Sequence, residues 1–213
     1  MAYTNDKKFN FEYPELTKIH GEPDSVTILN MTKELKANTQ SQCSNLGGGH
    51  YGYLSLIIPQ VEYMTLPHAA ALVTPIAPAL FSVPPGTTAV QSMVLKSTWD
   101  NETKEFLEYT HMQLALKNQI CQAIDMRYRK ALRNPITNSI TRSVLEILNF
   151  LKSRFGRVNI IQLSEAEIAL KSFIYDLSEP IDEAIFQRIN DYAEIADMAS
   201  APLSQRQKLI LQC

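Results

Sequence analysis

Much of what chemistry usually requires is missing from this chain. Its three cysteines, Cys43, Cys121 and Cys213, are odd in number and widely spaced. That excludes a disulfide framework or a paired-cysteine metal motif and fits a reducing compartment. There is no HExxH, no GxxxxGKS or GxxxxGKT loop and no GxSxG elbow, so zinc, phosphate-loop and serine-nucleophile chemistries have no signature here. No apolar run has the length of a membrane span, because the most apolar stretch, Ala69 to Val83, is interrupted by Pro75 and Pro78. Met1 is followed by the polar AYTNDKKFN, which lacks the apolar core of a secretory signal. An excess of one charge is absent as well: 20 Lys and Arg stand against 22 Asp and Glu, for a net charge of -2. Wholesale attraction to nucleic acid or an anionic membrane has no basis in that balance. The expectation is a soluble intracellular chain with no membrane partner, no cofactor and no metal.

What is present is helical patterning. Hydrophobic residues make up 45% of the 213 and charged residues 20%, enough for a real core. The clearest helix is Thr141 to Arg157, with Val144, Leu148, Leu151 and Phe155 on one face, a Ser143/Glu146 capping pair, and Gly156 able to stop it in the left-handed conformation. Upstream, residues 1–23 read as an irregular arm. Asp24 or Ser25 can cap a helix carrying Ile28, Met31 and Leu35 on one face. Gly47 to Gly49 break it, Tyr51 to Ile58 has β-like composition, and Pro59 opens a short helix. Five prolines between Leu66 and Gly86 exclude regular helix from an apolar segment that should lie against the protein or a neighbouring subunit. From Thr87 a long helical region runs to about Ile124, with a break expected near Asp100 and Asn101 and with Phe106, Tyr109, Met112, Leu116, Ile120 and Ala123 in the stripe.

Past Gly156, Ser164 and Glu167 form a capping-box pattern, with Leu163 and Ile168 placed as a hydrophobic staple. Another helix is expected from Ser178-Glu179-Pro180, with Ile181, Ile185, Ile189, Tyr192 and Ala196 along one face. Ser204 and Gln207 start a last helix that runs off the end at Cys213, which reads as a truncation.

Candidate chemistry is sparse. GGGHYG is a turn, and His50 within it lacks an identifiable nucleophile or carboxylate partner, so an enzyme built there is a remote reading. The acidic pairs Glu165/Glu167 and Asp182/Glu183 are explained by the helix dipole. No catalytic residue is assigned. One basic cluster, Arg127, Arg129, Lys130 and Arg133 with Tyr128 interleaved, could meet RNA phosphates and stack on a base, or form an intersubunit surface.

The order EILNFLKSRFGR, LSEAEIALKSF, LSEPIDEAIFQRINDYAEIA and PLSQRQKLIL resembles the capsid region of retrotransposon Gag proteins. Through LTKIHGEPDS, SNLGGGHYGYLSL and AIDMRYRKALRNPITNSI the first half is similar to the Gag proteins of copia-type elements, so the likeness spans most of residues 16–211. The resemblance implies an all-α, two-lobed capsid-like fold with an irregular Gly/Pro-rich region in the first lobe. It implies an amino-terminal arm at 1–23, a first lobe at 24–156 and a second lobe at 157–213. Glu179, Pro180, Ile181, Asp182 and Phe186 match the major homology region of that family, with Phe186 as an anchor of the second lobe; Leu177 and Ser178 stand where its glutamine is often found. The function implied is structural: self-assembly through hexamers and pentamers into cytoplasmic virus-like particles that package element RNA. The zinc knuckle that holds RNA in many such proteins is not in this sequence, so RNA would be held mainly by other segments. A capsid-derived host interaction module that forms no closed shell is the alternative, with a groove in the first lobe taking peptides.

Overall fold

The computed structural model describes residues 9–158, 160–172 and 186–198. Among them the secondary structure is helical and no strand occurs, as the all-α reading requires. The helices are α1 (Ser25–Gln40), α2 (Gln60–Tyr63), α3 (Ala89–Ala123), α4 (Met126–Arg129), α5 (Val144–Phe155), α6 (Ile160–Lys171) and α7 (Gln187–Met198). The chain forms two units. One takes the described residues up to Gly21 together with Met31–Leu148; the other takes Glu22–Asn30 and the described residues from Asn149 onward. The division falls inside α1 and inside α5, whereas the sequence suggested a break near Gly156.

α1 starts, within the Glu22–Asn30 segment, at a reciprocal cap: the Thr27 amide donates to Asp24 Oδ1 at 2.8 Å, and the Asp24 amide to Thr27 Oγ1 at 2.9 Å. Asp24, not Ser25, is therefore the cap. Met31 and Leu35 of α1 are buried, as are Met112, Leu116 and Ile120 of α3 and Val144, Ile147 and Leu148 of α5. Each such side chain contributes about 1.5–3 kcal/mol on leaving water. Tyr51 to Ile58 is not a strand. Its apolar residues Leu54, Leu56, Ile57 and Ile58 are buried through a 3-10 turn at Leu54–Leu56, since among the described residues no neighbouring strand exists to satisfy extended backbone. Gly52 makes that entry possible. At φ +54° it passes so close to the end of α1 that a Cβ would sit 2.3 Å from the Gln42 carbonyl oxygen and 2.4 Å from that of Thr39.

The irregular arm is docked on its own chain. The amide of Tyr13 donates to Asn38 Oδ1 at 2.7 Å, Asn38 Nδ2 returns a bond to the Tyr13 carbonyl at 2.8 Å, and Gln119 Nε2 reaches the carbonyls of Tyr13 and Pro14 at 2.9 and 3.1 Å. Asn38 is fully buried and Gln119 is 5% exposed; the two join each other at 3.1 Å. Leu16 and Ile19 are buried behind them, Thr17 is held by both oxygens of Glu34, and the Ile19 amide donates to the Ala123 carbonyl at 2.9 Å. From Tyr13 onward the arm is thus committed within the chain rather than open to a neighbour.

α3 runs unbroken through Asp100 and Asn101, contrary to the expected interruption. Thr88 and Gln91 cap it reciprocally, and with 35 residues it is about 52 Å long at 1.5 Å per residue. Its buried residues all fall between Met112 and Ala123; the half nearer Ala89 has its apolar side chains exposed. Residues 64–88 form a strap with no regular structure apart from turns. Trp99 latches it: the indole donates to the Ala79 carbonyl at 2.7 Å and the ring meets Phe81 at 5.8 Å between centroids.

α5 begins at the Ser143/Glu146 box, with the Ser143 amide donating to Glu146 Oε2 at 2.6 Å and the Glu146 amide to Ser143 Oγ at 3.2 Å. Gly156 ends it, but not in the left-handed conformation, since it is not among the positive-φ glycines. Its amide donates to the Lys152 carbonyl at 2.9 Å, and a Cβ would lie 2.6 Å from that same oxygen. Close approach, not φ, explains the glycine.

In the second unit α6 packs against α7. α6 begins at Ile160 and passes through Ser164, so the expected box and staple do not start it; Ile168 is 62% exposed. Glu167 instead pairs with Lys171 one turn on, at 2.5 Å. α7 buries Ile189, Ala193 and Ala196. Phe186, expected as an anchor, precedes α7 at the edge of that stripe and is 39% exposed, too open for the role. Ile181, Ile185 and the helix expected from Ser204 lie outside the described residues.

Asn38→Leu should destabilise the chain by roughly 3 kcal/mol in urea unfolding, because it strands buried amide and carbonyl groups of the arm. The same change should expose the segment before Leu16 to limited proteolysis. A second expectation concerns pH. The Ser143 amide and then its hydroxyl hold the Glu146 carboxyl below its ordinary 4.5, so the stabilisation is complete above that value and is lost as pH falls through the lower, folded one. Acid unfolding curves of Glu146→Gln should lack this component.

Candidate functional site

The basic cluster is spent largely on holding the end of α3 and the loop that follows. Asp125 caps α4 by accepting from the Arg127 amide at 2.9 Å, and its carboxylate lies 3.8 Å from Arg127 Nε. Arg127 also stacks its guanidinium over Tyr128, 4.7 Å from the ring centre. Arg129 donates to the Cys121 carbonyl in the last turn of α3, where a cation favours the helix dipole. Arg133 donates to the Asn138 carbonyl at 3.0 Å, closing a turn in which Asn134 Oδ1 accepts the amides of Ile136 and Thr137. Both Arg129 and Arg133 leave Nε buried without a partner, a cost their carbonyl bonds offset. Lys130 is exposed.

The glycine turn is also occupied by its own fold. Tyr63, fully buried, donates its hydroxyl to the Gly47 carbonyl at 2.6 Å, and the Ala70 amide reaches the same oxygen at 3.1 Å. Burial pushes the Tyr63 phenol above its usual range, and the neighbouring Tyr51 adds to the shift. A Cβ at Gly47 would meet the Tyr63 hydroxyl at 2.7 Å, so the phenol fixes the turn's composition. His50 is exposed and packs on exposed His68, with ring centroids 5.1 Å apart and a tilt of 36°. Its ring neighbour is a second imidazole rather than a carboxylate or thiol. No group of three or more His, Cys, Asp or Glu among the described residues could hold a metal ion.

Of the residues matched to the homology region, Glu179, Pro180, Ile181 and Asp182 lie outside the described residues, and Phe186 is described only at the start of α7. In the second unit Tyr192 faces Ala166, Ala169 and Leu170 across a small cavity, its phenol raised by burial and then by Glu167.

Two further features belong to the first unit. A cleft of about 600 Å³ opens between the docked arm and the end of α3, lined by Leu16, Ile19, His20, Cys121, Ile124 and Arg129. The strap and the first half of α3 carry outward apolar side chains: Val73, Ile76 and Leu80 are 77%, 86% and 94% exposed, and Val90, Met93 and Val94 are 70%, 74% and 61% exposed. Proline density hinted at the strap. The stripe read in α3, Phe106 to Ala123, lies in the half where its buried residues fall.

No family model, no curated protein and no solved structure matches the chain. No helix among the described residues is long and apolar enough to cross a membrane.

Arg129→Gln should cost about 1.5 kcal/mol of stability through the lost bond to the α3 terminus. Lys130→Ala should stay within about 0.5 kcal/mol. Equal effects of the two on RNA retention, with stability unchanged, would restore the nucleic-acid reading of the cluster.

Proposed function

We propose that the chain is a structural capsid protein of the retrotransposon Gag type, which assembles with itself into shells that enclose RNA. One observation supports this most directly: apolar surface turned outward on the strap and on the first half of α3, beyond what a chain acting alone usually keeps in water. The all-α architecture and the sequence resemblance are consistent with it. Assembly by many weak repeated contacts needs surface of this kind on each copy, since each added contact raises the effective concentration for the next. RNA would be retained mainly by segments outside this sequence, because two of the cluster's four cations, Arg129 and Arg133, are committed to internal carbonyls.

The cleft beside the docked arm favours a second reading, a peptide-binding module derived from such a capsid. Its volume of about 600 Å³ is in the range of ligand sites, and Leu16, Ile19 and Ile124 give it apolar walls beside Arg129. Negative-stain microscopy at low and high salt, beside light scattering, separates the two. Closed particles of uniform curvature are expected. A monodisperse monomer in every condition would overturn the shell reading in favour of the module.

A further inference from the structure

Between Tyr63 and Leu95 the sequence contains no Asp, Glu, Lys or Arg. In the structure this charge-free stretch is the strap and the first turns of α3, bound to each other through Trp99 and otherwise turned outward. On α3 the residues Val90, Met93, Val94, Ser97 and Asn101 recur at spacings of three and four and so share one face. That face is uncharged for about three turns.

The size of this surface can be judged from its apolar members. Val90, Met93, Val94 and Leu95, with Val73, Ile76, Leu80, Phe81 and Val83 of the strap, are all exposed. At roughly 60–120 Å² each they expose on the order of 800 Å² between them, about one partner's share of a standard protein interface.

We propose that two copies of the chain pair through this surface about a two-fold axis, the first halves of their α3 helices antiparallel and their straps alongside. The inference rests on the self-association reading above and names the contact that would begin it. A surface without charge offers nothing to select a charged partner, while it meets its own copy without electrostatic cost. Direction follows from what lies beyond the apolar turns. Parallel pairing would set Lys104 against Lys104 and Glu105 against Glu105. Antiparallel pairing centred near Val94 sets them against the uncharged Pro84 and Val83 of the strap, and opposes the helix dipoles favourably.

The test is sedimentation velocity of the full chain over a wide concentration range, beside the double variant Met93→Glu/Val94→Glu and the control Ile136→Glu. Ile136 is 92% exposed in the turn closed by Arg133, so the control adds one of the same kind of charge to a still more open aliphatic site away from the strap and α3. Circular dichroism and thermal melting should be alike for all three, because every substituted side chain is exposed. Below the concentration at which particles form, the wild type and the control should run at twice the chain mass, and the double variant should pair about a hundredfold more weakly or not at all. Two results overturn the proposal and differ in what else they remove. Dimers or particles that persist in the double variant would place self-association elsewhere and leave the shell reading standing. A monomeric wild type that also forms no particles would remove both.

Discussion

The buried pair Asn38 and Gln119 is the constraint on which the first unit depends. An irregular segment that lies against a core brings amides and carbonyls out of water with no helix to satisfy them, and each unsatisfied group costs more than an average hydrogen bond returns. The two side-chain amides meet that demand at Tyr13 and Pro14, Asn38 by accepting and donating at Tyr13 and Gln119 by donating to both carbonyls. They sit on α1 and α3, so the arm and two helices are tied at one point. Leu16 and Ile19 can then be buried, and the cleft beside them exists because the arm is held there.

α3 carries two kinds of surface on one rigid element. Its later turns are core, with Met112, Leu116 and Ile120 buried, while its earlier turns extend Val90, Met93 and Val94 into solvent. Helix formation itself does not require burial along the whole length, because propagation adds one hydrogen bond per residue once a nucleus is anchored. The capping box at Thr88 and Gln91 secures the free end, and Trp99 gives the strap its fixed point. Apolar surface is thereby presented on a stiff scaffold, which lowers the entropy lost when it is covered.

The charged residues that invited a ligand are mostly structural. Arg129 and Arg133 bond to carbonyls that a helix end and a turn leave open, and Arg127 is shared between Asp125 and the face of Tyr128. Such uses are common wherever a long helix stops, because its last carbonyls have no intrahelical donors. A basic run just beyond a helix terminus is for that reason a weaker sign of nucleic acid than the same run on an open face.

Local order was legible in the sequence wherever short-range chemistry decides it. The stripe Val144, Leu148 and Leu151, the Ser143/Glu146 cap, the Asp24 cap and the proline-rich break all follow from contacts within a few residues. Glu179 to Asp182, the core of the family resemblance, lie outside the described residues and rest on sequence alone. Tertiary structure decided the rest. Tyr51 to Ile58 has the composition of a strand but among the described residues has no strand to pair with, so burial took a 3-10 turn; Gly156 is required by the nearness of a carbonyl rather than by its own φ. That Asn38 and Gln119 bind the arm, at separations of 25 and 106 residues, depends on long-range packing. Periodicity reports which side chains share a face; only the elements packed against that face determine whether it is covered.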